Sequence, residues 1–274
     1  MDNFNAIVSI IKETMPLIQS GIPALVGGFV TAMFLRGNTR RSEFEKIKVG
    51  KINEVLDDLV DRHELTFTEL VKCKNLLQIA KIADDNFTKK NMNYKLKNEN
   101  KEFDFDWFFR FFESAGNVSK NEMQIYWAKL LSNEVKYPGS VHPAFIEIMK
   151  QLSQLDAQNL YCFRECNVLP IVEYCILKKN GEKETLLPDV FLSNKDENDL
   201  NKQSASISNL LRLGLIFFSY KYYIKDDRVY EPFRKHDVFL SYNSIVKDGK
   251  ATIRKGKLML SPLGTDFINI CFTE

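Results

Sequence analysis

An uncharged stretch of twenty residues near the N-terminus is the strongest constraint on how this chain folds. Residues 16–35, PLIQSGIPALVGGFVTAMFL, contain no Asp, Glu, Lys or Arg. A helix rises about 1.5 Å per residue, so this length matches the roughly 30 Å core of a bilayer. The Leu, Ile, Val and Phe residues in it favour insertion by about 3 to 5 kcal/mol, before the Pro, Gly and Gln costs. We therefore predict a membrane-type helix within residues 1–36.

The charges on either side of this stretch predict its orientation. One basic residue, Lys12, precedes the stretch. Six follow it closely: Arg36, Arg40, Arg41, Lys46, Lys48 and Lys51. The positive-inside rule then predicts a single pass with the bulk of the chain in the cytoplasm. A cleaved secretory signal is disfavoured because its first charges should be basic, and the first charge here is Asp2. A buried or interfacial hairpin broken at Pro23 is the alternative.

Small residues recur every four positions within the stretch, at Ser20, Ala24, Gly28 and Ala32. On a helix they share one face, and such a face allows two helices to approach closely in lipid. This pattern predicts a homo-oligomer in the bilayer. The alternative is that Gly and Ala are simply common in helices of this kind.

Composition and cysteine usage exclude several classes of protein. With 45% hydrophobic and 27% charged residues, the chain has the composition of a folded protein. Its net charge of +2 does not by itself indicate nucleic-acid binding. Its five cysteines are odd in number and irregularly spaced, which predicts reduced thiols. Cys162 and Cys166 are four apart, but the three histidines are remote in sequence. We predict no metal site and no cofactor.

The middle of the chain is predicted to be helical. Residues 37–100 read as an amphipathic connector, and residues 101–167 as a compact bundle of four short helices. Trp107 leads an aromatic helix whose rings are expected in the core. Ser119 and Glu122 have the spacing of a capping box at the start of the next helix, whose apolar face includes Trp127. Pro138 and Gly139 end that helix.

The segment DWFFRFFESAGNVSKNEMQIYWAKLLSNEVKYPGSVHPAFIEIMKQLSQLDAQ resembles a bacterial domain of unknown function, the one numbered 2806. Its matching positions are Asp106, Trp107, Val118, Ser119, Glu122, Met123, Gln124, Trp127, Lys129, Leu131, Glu134, Pro138, Gly139, Ser140, Leu152, Ser153 and Ala157. The chain departs from that pattern at Ser132 and Asn133, where a small Ala-Gly pair is frequent. The apolar N-terminus and the C-terminal elements LGLI and PLG-x-x-F are similar to those of Abi-alpha abortive-infection proteins. That resemblance implies phage defence at the bacterial inner membrane, with a protein partner from the same defence locus.

Residues 168–274 are predicted to form a winged-helix-like α+β domain. The expected strands are IVEYCILKK, ETLLPDVFL, FFSYKYYI, DVFLSY and KLMLS, and the expected helices are SASISNLLRLGLI, capped near Ser204 or Ser206, and PLGTDFINICF. The whole chain is thus predicted to be α+β and mainly α. Basic residues of the expected wing, Lys250, Arg254, Lys255 and Lys257, are the candidates for nucleic-acid contact. The helix before it has only Arg212 as a cation, which favours a structural or protein-contact role.

Enzyme classes with local signatures are disfavoured. The sequence lacks a glycine-rich phosphate loop followed by Lys-Ser/Thr, a nucleophile elbow and an H-E-x-x-H helix. We therefore predict a protein that is not an enzyme: a membrane-anchored, cytosol-facing defence protein whose partners are the bilayer and other copies of itself. The alternative is a soluble DNA-binding or adaptor module whose apolar N-terminus packs on a partner.

Overall fold

The computed structural model describes residues 56–58, 60–63, 65–90, 104–193, 199–246 and 249–272. The predicted membrane helix lies outside these ranges, and so do the residues of its small face, Ser20, Ala24, Gly28 and Ala32. Within the described ranges, no helix has both the length and the apolar character that a bilayer crossing requires. The chain divides into two compact units, residues 1–150 and 151–274.

The described part of the first unit is helical, as the sequence predicts. It holds α1 (Phe67–Lys90), α2 (Phe105–Ala115), α3 (Asn121–Lys136) and α4 (Ala144–Gln151), whose last residue crosses the unit boundary. Helix α1 begins with a reciprocal pair of hydrogen bonds in which Thr66 Oγ1 accepts from the Glu69 amide and the Glu69 carboxylate accepts from the Thr66 amide.

Aromatic rings of α2 form the centre of this unit. Trp107 stacks on Phe111 with 5.2 Å between ring centroids, and Phe111 meets the edge of Trp127 from α3 at 5.4 Å. All three rings are buried, together with Phe108 and Phe112. The prediction that this aromatic stripe belongs to the core is confirmed. Burial of rings of this size contributes the largest share of hydrophobic stabilisation available to a small helical unit.

The predicted capping box at Ser119 and Glu122 is wrong. Helix α3 begins at Asn121 with Lys120 in the N-cap position, and no side chain caps it. Glu122 therefore occupies the second helical position, one residue short of the position from which a capping-box carboxylate reaches back. The Ser-x-x-acid motif forms instead at α5, where Ser153 and Asp156 bond each other's backbone amides.

The second unit combines helices with a curled four-stranded sheet. Its helices are α5 (Gln154–Tyr161), α6 (Leu200–Arg212), α7 (Glu231–Lys235), α8 (Asp237–Ile245) and α9 (Pro262–Cys271), with short 3-10 segments at Cys162–Arg164 and Asp227–Tyr230. Its strands are β1 (Val168–Leu177), β2 (Lys183–Val190), β3 (Ile216–Ser219) and β4 (Lys250–Leu260).

The sheet extends beyond the expected wing, because β1 and β2 also belong to it. Its strand order is β2-β1-β4-β3, and all neighbouring strands are antiparallel. Strand β4 pairs with β3 as expected for a wing, but it also pairs with β1 from Val168↔Met259 to Leu177↔Lys250. The β3–β4 pair is therefore one part of a larger sheet, with β4 as an interior strand.

Three of the predicted strands are wrong in type or extent, and one of them, KLMLS, is only the end of β4, which begins at Lys250. The segment DVFLSY belongs to helix α8, where the His236 ring nitrogen accepts from the Val238 amide at the helix start. Phe239 and Tyr242 lie three positions apart and both pack on the core of the sheet, which is a helical spacing. The strand expected from Phe217 to Ile224 ends at Ser219, because Ser219 Oγ accepts from the amides of the second and third residues that follow and turns the chain.

A buried polar network joins α5 to α6. The Asp156 carboxylate accepts hydrogen bonds from Ser206 Oγ at 2.6 Å and Asn209 Nδ2 at 2.9 Å. Asn159 Nδ2 donates to Gln203 Oε1 and to Ser206 Oγ, each at 2.9 Å. The cap of α6 is Asp199 rather than Ser204 or Ser206, since both serines are buried and bond elsewhere. Such a network fixes how two helices pair, because any other register leaves buried polar groups unsatisfied.

Candidate functional site

Strand β4 and the loop after β3 form the most exposed aromatic and basic surface described in the second unit. Side chains alternate along a strand, so Lys255 and Lys257 lie on one face of the sheet and Arg254 lies on the other. The register agrees, since Arg254 pairs with Glu173 of β1 and contacts its carboxylate at 3.4 Å. The strand thus presents two different chemical environments.

On the first face, two lysines of β4 lie beside the tyrosines of the loop. Lys257 Nζ is 5.9 Å from the centroid of the Tyr222 ring, and Lys255 Nζ is 5.7 Å from that of Tyr223. Tyr222 is 60% exposed and Tyr223 is 55% exposed. We call these four residues the tyrosine–lysine surface. It combines open aromatic rings with cations within cation–π distance.

The loop that carries these tyrosines is fixed to the sheet by Tyr230. The Tyr230 hydroxyl donates to the Gly256 carbonyl at 2.7 Å and accepts from the Ile224 amide at 2.9 Å. Tyr230 itself is fully buried, and its burial raises the pKa of the phenol. The loop is therefore held against β4 by a buried hydrogen-bonding group, which reduces the entropy lost when a ligand binds.

On the opposite face, Tyr220 packs between Arg254 and Asp189. The Arg254 guanidinium lies 5.0 Å from the Tyr220 ring centroid, and the Tyr220 hydroxyl bonds Asp189 Oδ1 at 3.0 Å. The ring lies over Gly256, where an added Cβ would come within 2.6 Å of it. Asp189 has a positive φ of 50°, a conformation that Asp tolerates better than most residues.

Burial and charge shift the acidities in this cluster. Desolvation raises the pKa of the Asp189 carboxyl, with the hydrogen bond from Tyr220 opposing it and the charge of Glu173 adding to it. Desolvation also raises the pKa of the Tyr220 phenol, and the nearby Asp189 charge adds to that effect. On the first face, the hydrogen bond from Lys255 is the main reason that the pKa of Asp227 is lowered.

The structure separates the four basic residues that the sequence groups as candidate nucleic-acid contacts. Lys255 and Lys257 belong to the tyrosine–lysine surface, and Arg254 faces the Tyr220–Asp189 cluster. Lys250 begins β4 opposite Leu177, about 23 Å along the strand from Lys257 at roughly 3.3 Å per residue. Lys255 also forms an ion pair with Asp227, whereas no ion pair of Lys257 is found in the described part of the chain.

The signature residues of the first unit have structural roles. Trp107 and Trp127 are core residues, and the turn at Pro138 and Gly139 follows α3 directly. Gly139 has a positive φ of 74°. Its amide donates to Glu134 Oε1 at 2.6 Å, and the Val141 amide donates to Glu134 Oε2 at 3.1 Å. A buried carboxylate therefore closes the turn, which explains an acidic residue near the helix end.

The two C-terminal elements LGLI and PLG-x-x-F meet in space. The Ser261 amide donates to the Leu215 carbonyl at 3.0 Å, and Ser261 Oγ bonds the Gly214 carbonyl. A Cβ at Gly264 would lie 1.9 Å from the Leu215 carbonyl oxygen, so only glycine fits. Phe267 is fully buried beyond it. These two elements form one packing unit between the end of α6 and the start of α9.

A family model described as "Abortive infection alpha" matches residues 88–271, which includes both of these elements. The chain belongs to the abortive infection alpha family. The family supports a role in abortive-infection defence. Searches of curated proteins and of solved structures give no match. The resemblance to the numbered domain of unknown function stays a prediction.

No group of three or more His, Cys, Asp or Glu side chains placed to hold a metal ion is found among the described residues. The five cysteines are free thiols, with Cys73, Cys175 and Cys271 buried and Cys166 exposed. Burial raises the pKa of the Cys73 thiol to about 12 and that of Cys175 to about 11, so both are protonated at neutral pH. The predictions of no cofactor and no enzymatic activity stay predictions.

Sequence reasoning missed the aromatic half of the candidate site. The segment SYKYY was interpreted as a strand, in which its tyrosines would point alternately to opposite faces. In the structure the strand ends before them, and Tyr222 and Tyr223 both contact lysines on one face. Ser219 carries the one usable signal, since a serine hydroxyl can accept from backbone amides two or three residues further on and so favours a turn.

Proposed function

We propose that the chain is an abortive-infection protein that acts at the bacterial inner membrane, with its two described units in the cytoplasm. The observation that supports this most directly is the family match over residues 88–271 in a chain that carries an uncharged segment at residues 16–35. The basic residues that follow this segment favour retention of everything C-terminal to it on the cytoplasmic side. The two units then sense an infection cue or transmit it to the membrane segment.

Self-association is the second part of the proposal. A helix with Ser20, Ala24, Gly28 and Ala32 on one face can pack closely against a copy of itself in lipid. Oligomers of such helices disturb a bilayer more than single helices do, which gives an abortive response a means to stop growth of the infected cell. A protein encoded at the same defence locus would supply the cue.

We also propose that the chain acts through binding and assembly, without a catalytic step of its own. The polar clusters in the described units support this, because their carboxylates have structural partners. Glu134 closes a turn, Asp156 joins two helices, and Asp227 pairs with Lys255 and Arg234.

Fractionation of cells that express the full-length chain tests the anchor. We expect the protein to pellet with membranes, to stay there after an alkaline carbonate wash, and to be released by detergent. Recovery of the protein in the soluble fraction without detergent would overturn the anchor and favour the alternative, a soluble DNA-binding or adaptor module.

Two glycine substitutions test self-association. Gly28→Leu adds bulk to the small-residue face and is expected to reduce the oligomer fraction in detergent. Gly27→Leu makes the same change on the neighbouring residue, which lies off that face by about 100° of helix rotation, and is the matched control. Equal oligomer fractions for the two variants would contradict the proposed face.

A further inference from the structure

We infer that the tyrosine–lysine surface, formed by Tyr222, Tyr223, Lys255 and Lys257, binds single-stranded nucleic acid. Nothing in the family description assigns such a site, and the inference stands independently of the proposed membrane anchor. It rests on three features of the second unit: two exposed rings, cations placed beside them, and a loop held firmly enough to present both.

The exposed rings provide the stacking surface. Tyr222 and Tyr223 expose more than half of their surface. Aromatic side chains that serve only to pack the core are normally buried. The loop from Ser219 to Tyr223, SYKYY, has no aliphatic side chain that could enter a bilayer. Flat rings with polar edges suit nucleobases, because every base has a π-face on which a tyrosine can stack.

The lysines provide charge where a phosphate backbone would pass. Lys255 and Lys257 are two residues apart on β4, so their Cα atoms lie about 7 Å from each other along the strand. Each ammonium lies within 6 Å of a tyrosine ring centroid, and Lys221 Nζ lies 5.6 Å from the Tyr222 ring. A nucleotide that stacks on either ring therefore has a cation within reach of its phosphate.

The nearby acids offset part of this charge at Lys255, but none of them pairs with Lys257 in the described part of the chain. Asp226 is engaged by Arg228 at 2.7 Å, and Asp227 is engaged by Lys255 and by Arg234 at 3.1 Å. Lys255 thus has a structural partner as well, and Lys257 is the lysine with the most freedom to meet an incoming phosphate. This makes Lys257 the sharper test of the electrostatic contribution.

The arrangement favours a single strand over a duplex. In a duplex the bases are stacked on one another and cannot reach protein rings, whereas a single strand can splay its bases onto them. A protein that recognises duplex DNA instead places a helix or a β-ribbon in a groove. Helix α6 has two basic residues, Lys202 and Arg212, which is few for such a helix. The platform is also preorganised, since Tyr230 ties the loop to β4.

The test uses the full-length chain in non-ionic detergent and a fluorescent oligo(dT) or oligo(U) of about 20 nucleotides, long enough for a typical site. Anisotropy is expected to show binding that weakens as salt rises. The double variant Tyr222→Ala/Tyr223→Ala is expected to weaken binding by at least about tenfold, because base stacking carries much of the affinity. Thermal unfolding of the variant checks that the exposed positions leave the fold intact.

Paired charge variants locate the phosphate contacts. Lys257→Ala is expected to weaken binding and to lower the slope of affinity against salt by about one, as loss of one phosphate contact does. Lys250→Ala removes the same charge from the far end of the same strand and is expected to leave affinity and slope unchanged. Equal losses for both variants would overturn the proposed location.

Three further outcomes would each overturn the inference. These are no binding to either oligonucleotide, equal affinity of the wild type and the double tyrosine variant, and tighter binding to a duplex or to phosphatidylglycerol vesicles through the same residues. A negative result here leaves fractionation and self-association unaffected, so failure of this inference is distinguishable from failure of the proposed membrane function.

Discussion

Asp189 shows how one residue combines backbone strain with an unfavourable charge. It lies near the end of β2 with a positive φ of 50°, and burial raises the pKa of its carboxyl. A folded-state pKa above the unfolded value of about 3.9 means that the folded state holds its proton longer. Stability is therefore highest below the unfolded pKa and falls as pH rises through the folded pKa.

Asp189→Asn is expected to be more stable than the wild type at pH 7, because it removes the cost of ionising a half-buried carboxyl. Asn also tolerates a positive φ and can still accept from the Tyr220 hydroxyl. Urea unfolding between pH 4 and pH 8 should show the difference growing with pH. Asp266→Asn, the same substitution at an exposed position of α9, is the matched control. A variant less stable than the wild type at pH 7 would contradict this explanation.

The burial of a residue was easier to predict from the sequence than its hydrogen-bond partners. The burial of Trp107 and Trp127 follows from the period of the apolar positions alone. The role of Glu134 does not, because its hydrogen bonds depend on how the chain turns at Gly139 and Val141. The capping box at Ser119 failed for a similar reason, since a shift of one residue in where α3 begins changes which amides need a partner.

At the scale of elements, the segment that follows α6 packs closely against the start of α9. Gly264 lies so near Leu215 that an added Cβ would be 1.9 Å from its carbonyl oxygen. The Leu215 carbonyl accepts a hydrogen bond from the Ser261 amide, and the Gly264 amide donates to Ser261 Oγ. Neither backbone segment can therefore move away without breaking a hydrogen bond of Ser261.

Gly264→Ala is expected to lower the free energy of unfolding by about 3 kcal/mol or more, at the upper end of overpacking effects. Thr265→Ala, at the exposed next position of the same helix, is the control and should cost less than about 1 kcal/mol. Chemical denaturation followed by circular dichroism measures both. An unchanged midpoint for Gly264→Ala would show that the close approach is absent.

Elements with one dominant local signal were predicted correctly, and elements with conflicting signals were not. Strands β1 and β2 and helix α9 agree with their sequence patterns, whereas α6 forms as predicted but begins at Leu200, before the expected caps at Ser204 or Ser206. The segment at α8 is rich in residues with high strand propensity, yet it forms a helix because Phe239 and Tyr242 then face the same core. Tertiary burial outweighed local preference there.

At the scale of the whole molecule, the sheet order was beyond the reach of local patterns. Strand β1 pairs with β4 across all its residues, although most of the second unit lies between them in sequence. That pairing depends on long-range packing, so the sequence predicted strands at β1 and β4 without indicating that they are neighbours. The helices of the first unit were easier to predict, since the spacing of apolar residues along an amphipathic helix is a local signal.

The family assignment supports a role in abortive-infection defence, and the proposed membrane segment would supply the mechanism. The defence role and the proposed membrane segment can be tested together by the response of cells to phage. If the proposed anchor associates through its small-residue face, infection should lead to arrest of the cell before phage are released. A change on that face should then abolish the response without unfolding the two described units.

Phage challenge of bacteria that express the wild type or Gly28→Leu at matched levels tests this most directly. We expect the wild type to lower plaque number and burst size by at least about tenfold while infected cells fail to survive, and Gly28→Leu to restore both towards the level of cells without the protein. Gly27→Leu should protect like the wild type. Plaque numbers and burst sizes that are the same with and without the wild-type chain would contradict the account.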